Sequence, residues 1–195
     1  MRNFLLQQLR PAILVLVVMT VITGMAYPAA VTAVAQVVFP SQANGSFITT
    51  TDGRVIGSSL IGQTFDQPQY IWGRPSAAGA GYDATSSAGS NLGPTSQALL
   101  DRISKAVTDF QTANGSTAPV PVDIVTTSAS GLDPDISPAA AEYQVARVAT
   151  ARNISPDAVR AIIANHTQQP LLGFLGEPRV NVLLTNLDLD VLLAH

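Results

Sequence analysis

Ala12–Tyr27 reads AILVLVVMTVITGMAY, and this stretch decides the architecture of the chain. Nothing in it is charged, and the uncharged run extends from Pro11 to Thr51, becoming less densely apolar toward Val38. A helix crossing the hydrocarbon core of a bilayer needs roughly 20 such residues. The pattern predicts a transmembrane helix over residues 11–38, with Pro28 kinking it or marking its end and Tyr27 suited to the interface. Arg2 and Arg10 precede the run and no acid does, so the positive-inside rule puts residues 1–10 in the cytoplasm and residues 39–195 outside. A cleaved secretory signal is the competing reading, since a basic start, an apolar core and the small triplet Ala33-Val34-Ala35 are its ingredients. The core is longer than the ~7 to 15 residues usual in a signal, which favours a retained anchor.

The rest of the 195 residues suits one domain of ordinary size. Charged residues make up 12% of the chain, and the mean hydropathy is +0.28. Both values point to a membrane segment or a large buried interface. A net charge of -3, with Lys105 as the sole lysine, argues against nucleic acid as a partner, because phosphate neutralisation needs clustered bases. The absence of cysteine excludes disulfides and thiolate metal sites.

Beyond the anchor, Phe47-Ile48-Thr49 and Val55-Ile56 flank Asp52-Gly53 and predict a hairpin. Residues 73–96 are rich in Gly, Ser, Ala and Pro, which predicts a long surface loop; its length makes Arg74 and Asn91 candidates for subunit docking. Leu99, Ile103, Val107 and Phe110 recur at helical spacing, with Gly115 as the stop. Residues 119–126 alternate and predict a strand near an edge, and residues 179–184 alternate and predict a second strand, after which Asn186 is placed to cap a short helix. Ser137-Pro138 and Ser155-Pro156 each set a capping hydroxyl before a proline, so two further helices start there. The expected fold is α+β: one N-terminal transmembrane helix followed by a single extracytoplasmic domain of helices and a few strands.

Signals of chemistry are sparse. Gly79-Ala80-Gly81-Tyr82-Asp83-Ala84 fits a dinucleotide pattern that also needs a preceding strand and a following helix, and neither is predicted. No phosphate loop and no nucleophile elbow occurs in the sequence. His166 and His195 are the only histidines, too few for an imidazole-rich metal site; His166 is placed to complement a helix dipole. Asp133 and Asp135 read as turn formers ahead of the Ser137 cap. Arg147 and Arg152 share a helix and form either a partner patch, with Arg147 at a subunit interface, or a solvated face.

Several separate stretches carry a resemblance that covers almost the whole chain. They are Phe39-Pro40 with Gln42-Ala43-Asn44-Gly45-Ser46, Gly57-Ser58 with Leu60-Ile61-Gly62-Gln63, Gly73-Arg74-Pro75-Ser76-Ala77 and Gly89-Ser90-Asn91-Leu92. Ser128-Ala129-Ser130-Gly131-Leu132-Asp133, Gln144 with Arg147-Val148-Ala149 and Ala151-Arg152, and Gly176 with Pro178, Val180 and Asn181 follow in order. In these the chain resembles the C subunit family, KdpC, of the bacterial Kdp potassium-transporting ATPase. The resemblance implies a non-catalytic subunit in the bacterial cytoplasmic membrane, with no cofactor of its own, in a complex that handles ATP and K+. Its implied partners are a channel-like potassium-translocating subunit, a P-type ATPase subunit, a small stabilising membrane peptide and the lipid bilayer. The family role it implies is a catalytic chaperone that raises ATP affinity, with nucleotide contact near Gln144. A membrane-tethered or secreted binding module independent of any pump is the alternative.

Overall fold

Pro28 has no N–H to give the preceding turn, and its ring crowds the carbonyl four residues back, so an apolar helix running through it must adjust. The computed structural model describes residues 2–50 and 52–192, with side chains from Gln7 onward, and the adjustment in it is a π turn. Helix α1 (Arg2–Val21) passes into π geometry over Ile22–Ala26 and continues as α2 (Tyr27–Val38). The Tyr27 N–H reaches back five residues to Ile22 O. Pro28 therefore neither ends the helix nor interrupts it; it widens the turn before it. The part long and apolar enough to cross a membrane is Gln7–Val38, starting before Pro11. Its 32 residues would extend about 48 Å at 1.5 Å each, against a hydrocarbon core of about 30 Å. Phe39, at φ -134°, ends it, and the short α3 (Pro40–Ala43) follows. The hairpin forms as expected from β1 (Phe47–Thr49) and β2 (Val55–Ser58). The Gly53 N–H donates to Thr50 O at 2.9 Å, and φ at Gly53 is 81°.

The chain divides into two compact units, Met1–Ile56 and Gly57–His195. In the second, α4 (Gln97–Asn114) presents Ile103, Val107 and Phe110 to the core and stops at Gly115, whose φ of 59° supplies the left-handed cap. Ser137 Oγ accepts from the Ala140 N–H to start α5 (Pro138–Tyr143), and α6 (Val145–Arg152) follows directly. Ser155 Oγ accepts from the Ala158 N–H at 3.2 Å to start α7 (Pro156–Asn165). Ser155→Ala should cost about 1 kcal/mol, read as a lower urea midpoint at unchanged slope. A loss within the roughly 0.5 kcal/mol scatter of surface substitutions would show that the cap contributes nothing.

A small antiparallel sheet of order β3-β5-β4 joins β3 (Asp135–Ile136), β4 (Thr167–Gln168) and β5 (Arg179–Asn181), pairing Ile136 and Thr167 with Val180. Helix α8 (Val182–Val191) completes the domain. Val145, Val148, Val159, Ile162, Val180 and Leu189 form the centre of the core, with Ile71 from the long connection between β2 and α4.

Two strand expectations are corrected. Residues 119–126 hold a 3-10 turn at Val122–Ile124 in place of a strand. Pro119 and Pro121 cannot donate to a ladder, and the Asp123 carboxylate instead accepts from the Ser137 N–H at 2.7 Å and the Ser137 hydroxyl at 3.1 Å. The second strand stops at Asn181, because the Asn181 side chain accepts from the Leu184 N–H and starts α8 there. Asn186, expected as that cap, lies buried inside α8.

Candidate functional site

Gln67–Trp72 lies in no strand, yet Ile71 is fully buried, so its backbone polar groups need partners. Two side-chain amides supply them. Asn186 Oδ1 accepts from the Ile71 N–H and Asn186 Nδ2 donates to Ile71 O, both at 2.8 Å. Gln144 Oε1 accepts from the Trp72 N–H at 2.8 Å, and Gln144 Nε2 donates to Trp72 O at 3.1 Å. Each amide thus pairs with one residue as a neighbouring strand would, from the helix bearing Asn186 and from the α5–α6 junction that Gln144 forms. Gln144 is 0% exposed. Its Nε2 also donates to Ala140 O, and its Oε1 also accepts from Arg147, so both amide donors and both acceptor positions are engaged.

Two arginines of α6 hold the same segment. Arg147 donates to Pro68 O at 2.5 Å, Tyr70 O at 3.1 Å, Asn114 Oδ1 at 3.0 Å and Gln144 Oε1 at 2.7 Å. Its guanidinium carbon stands 4.1 Å from the centre of the Trp72 ring. Burial lowers its pKa to about 10, and these acceptors offset the desolvation of the cation. Arg152 donates to Gln69 O at 2.6 Å, Leu189 O at 2.6 Å and Asp190 Oδ1 at 2.7 Å, while the Tyr70 hydroxyl donates to Asp190 Oδ2 at 3.1 Å. Both arginines turn inward onto carbonyls that lack a ladder, Arg152 buried and Arg147 half-buried.

The polar run after Trp72 is bound down in a similar way. Arg74 pairs with Asp133 at 2.9 Å and donates to Thr126 O at 3.3 Å. The Ser76 hydroxyl donates to Gly131 O at 2.6 Å, and the Tyr82 hydroxyl donates to Arg74 O at 2.6 Å. Burial, ahead of the charge on Asp133, raises the Tyr82 pKa to about 12. Gly131 sits at φ 67°, and a Cβ there would meet Ala88 O at 2.5 Å and Ala78 N at 2.7 Å, so the close approach requires glycine. The stretch expected as a surface loop is in part a packed layer, with Ala78 fully buried.

Asp133 and Asp135 do more than turn the chain. Asp133 Oδ1 accepts from the Asp135 N–H at 3.0 Å while Oδ2 binds Arg74. Asp135 lies 3.0 Å from Arg179, yet its pKa is raised, chiefly by burial, with Arg179 opposing. Gly79 and Gly81 lie in turns, with neither the strand nor the helix that a dinucleotide motif needs. His166 caps the end of α7, and its Nε2 lies 2.7 Å from Asp188; His195 lies outside the described residues.

Of the candidate residues, Gln144 and Arg147 meet directly, Arg74 lies further along the segment they hold, and Asn91 is exposed at φ 52°. Asn186 was missed. A polar residue midway between Leu183 and Leu189 on a buried helix face is the signal that could have found it. Asp190, which receives Arg152, had no such signal.

These features define a class: an α+β domain whose long connection is locked by side-chain amides and guanidinium groups, in a chain carrying one helix able to cross a membrane. The model of the family described as K+-transporting ATPase, c chain (KdpC) matches residues 9–191. The Potassium-transporting ATPase KdpC subunit of Caulobacter vibrioides is 55% identical over 186 residues, covering 95% of this chain and 94% of its own. That of Bradyrhizobium diazoefficiens is 54% identical over 198 residues, covering 95% and 98%. That of Sorangium cellulosum is 56% identical over 188 residues, again covering 95% and 98%. The chain belongs to the KdpC family.

Proposed function

We propose that this chain is a non-catalytic accessory subunit of an ATP-driven potassium uptake complex, anchored in the bacterial cytoplasmic membrane with its main domain outside. Family membership along nearly the whole chain is the observation that carries this reading. Residues 1–10 are cytoplasmic, 11–38 span the bilayer and 39–195 lie outside; the acid-free N-terminus with Arg2 and Arg10 supports that orientation. The partners are the channel-like subunit, the ATPase subunit, the small stabilising peptide and lipid. ATP and K+ are handled by the complex, and the chain carries no cofactor.

The domain acts as an outer cap that influences assembly or potassium entry. Gln144 contributes to any effect on ATP affinity through the shape of the domain, because its amide is fully engaged by Trp72, Ala140 and Arg147. ATP is cytoplasmic, and this topology gives it only the first ten residues to meet. Arg147 and Arg74 shape the docking surface from within, and the exposed run Asn91–Thr95 is the part of the loop that meets a neighbouring subunit.

The cysteine-free sequence permits a direct test with Thr117→Cys, an exposed position. Intact cells should label this chain with an impermeant maleimide. Purification in mild detergent should then recover the labelled chain with larger membrane proteins and potassium-stimulated ATP hydrolysis. Protection until lysis would reverse the topology, and a lone chain released by mild washing would favour the independent binding module.

A further inference from the structure

The π turn ahead of Pro28 leaves one backbone acceptor over. In a regular helix the carbonyl of Thr23 accepts from the N–H of Tyr27, and in a π turn it accepts from the N–H of the next residue. Here the Tyr27 N–H goes to Ile22 O, and the next residue is Pro28, which has no N–H. No side chain among the described residues takes the place, and the Thr23 hydroxyl donates instead to Met19 O at 2.6 Å. Thr23 stands midway along Gln7–Val38. On the anchor reading, on which this inference rests, its carbonyl therefore lies near the centre of the bilayer.

We infer that the Thr23 carbonyl marks the face of the span that docks against a transmembrane helix of another subunit, one presenting a hydrogen-bond donor at mid-membrane. Hydrocarbon supplies no donor, and an unpaired carbonyl within it is costly. Proline is tolerated in membrane helices where a neighbouring helix satisfies the group it frees. Access suits that partner. Gly24 adds no side chain beside the carbonyl, and a Cβ built there would meet nothing nearer than Thr20 Cγ2 at 3.9 Å. Small residues of this kind let two helix backbones come close, and the side chains that bridge helices in lipid are those of Ser, Thr, Asn, Gln and His. A second copy of this chain suits the place less well. At that depth a parallel copy offers only the hydroxyls of Thr20 and Thr23, and the Thr23 hydroxyl is already given to Met19 O.

Thr23-Gly24 is the only Thr-Gly pair in the sequence, so carbon-13 in the threonine carbonyls and nitrogen-15 in glycine isolate this one carbonyl by its coupling to nitrogen in solid-state NMR. The full chain is measured in phosphatidylcholine bilayers, alone and in the assembled complex. Pro28→Ala supplies the missing N–H and restores the regular turn, so its carbonyl signal, downfield of the parent's, is the reference for a bonded Thr23. Assembly should move the parent signal downfield toward that reference, and a photoreactive side chain at position 20 should then crosslink to a larger subunit. A signal unmoved by assembly would overturn the inference. A lone chain already at the bonded position, through water or a second copy, would overturn it too, as would a crosslink in the complex to lipid alone or to another copy. Extraction of the chain from bilayers at alkaline pH would remove the anchor reading and the inference together. Recovery without any larger membrane protein would remove the subunit reading, whereas an intact complex with an unmoved signal removes the inference alone.

Discussion

Arg152→Ala should lower stability by about 3–5 kcal/mol and the Tm of the detergent-purified chain by roughly 10 °C or more. The Arg152 side chain is 1% exposed, and it donates to Gln69 O and Leu189 O, both at 2.6 Å. Truncation removes the donor that Arg152 gives each of these carbonyls, at about 1–3 kcal/mol each, and adds a cavity beneath Tyr70. Its partner Asp190 is half-exposed, so hydration softens the loss of that ion pair. Arg152→Lys should recover less than half of the loss, because a single ammonium on a flexible stem cannot reproduce a planar fork meeting three acceptors. Circular dichroism melting decides the matter: a Tm within about 3 °C of the parent would show that the segment holds without the guanidinium.

Gln144→Ala should cost about 3 kcal/mol, since it leaves the Trp72 N–H and C=O unpaired in a part-buried setting and removes one acceptor from Arg147. It also separates two roles in the pump. If Gln144 positions the fold, less complex assembles, and the assembled fraction keeps a KM for ATP within about twofold of the parent, the uniform-binding test for a residue remote from the nucleotide. A tenfold rise in KM for ATP, with full assembly and an unchanged Tm, would place Gln144 at the nucleotide and refute the positioning role.

The elements whose cause is local are legible in the sequence. The apolar helix follows from the uncharged run after Arg10, and the hairpin from Asp52-Gly53 between alternating apolar residues. The starts of two helices follow from Ser137-Pro138 and Ser155-Pro156, and the end of α4 from Gly115. In each, the atoms that satisfy or release a backbone group belong to neighbours within a few residues. That is why short windows suffice. Family resemblance, carried by separated motifs, was legible for the same reason: it asks only for order along the chain.

Where those motifs meet is visible only in the folded chain. Gln144 and Trp72 are 72 positions apart, as Asn186 and Ile71 are 115, and no periodicity links such pairs. Arg147 and Arg152 occupy positions that either solvent or a partner could have claimed. They turn inward because Gln67–Trp72 enters the core without a strand to pair with, and its carbonyls need donors. Residues 119–126 illustrate the converse, since their alternation is real but Pro119 and Pro121 withhold the donors that a ladder requires, and Asp123 finds Ser137 instead. A backbone group is indifferent to the source of its partner. Where the partner is distant in sequence, only the folded chain reveals it.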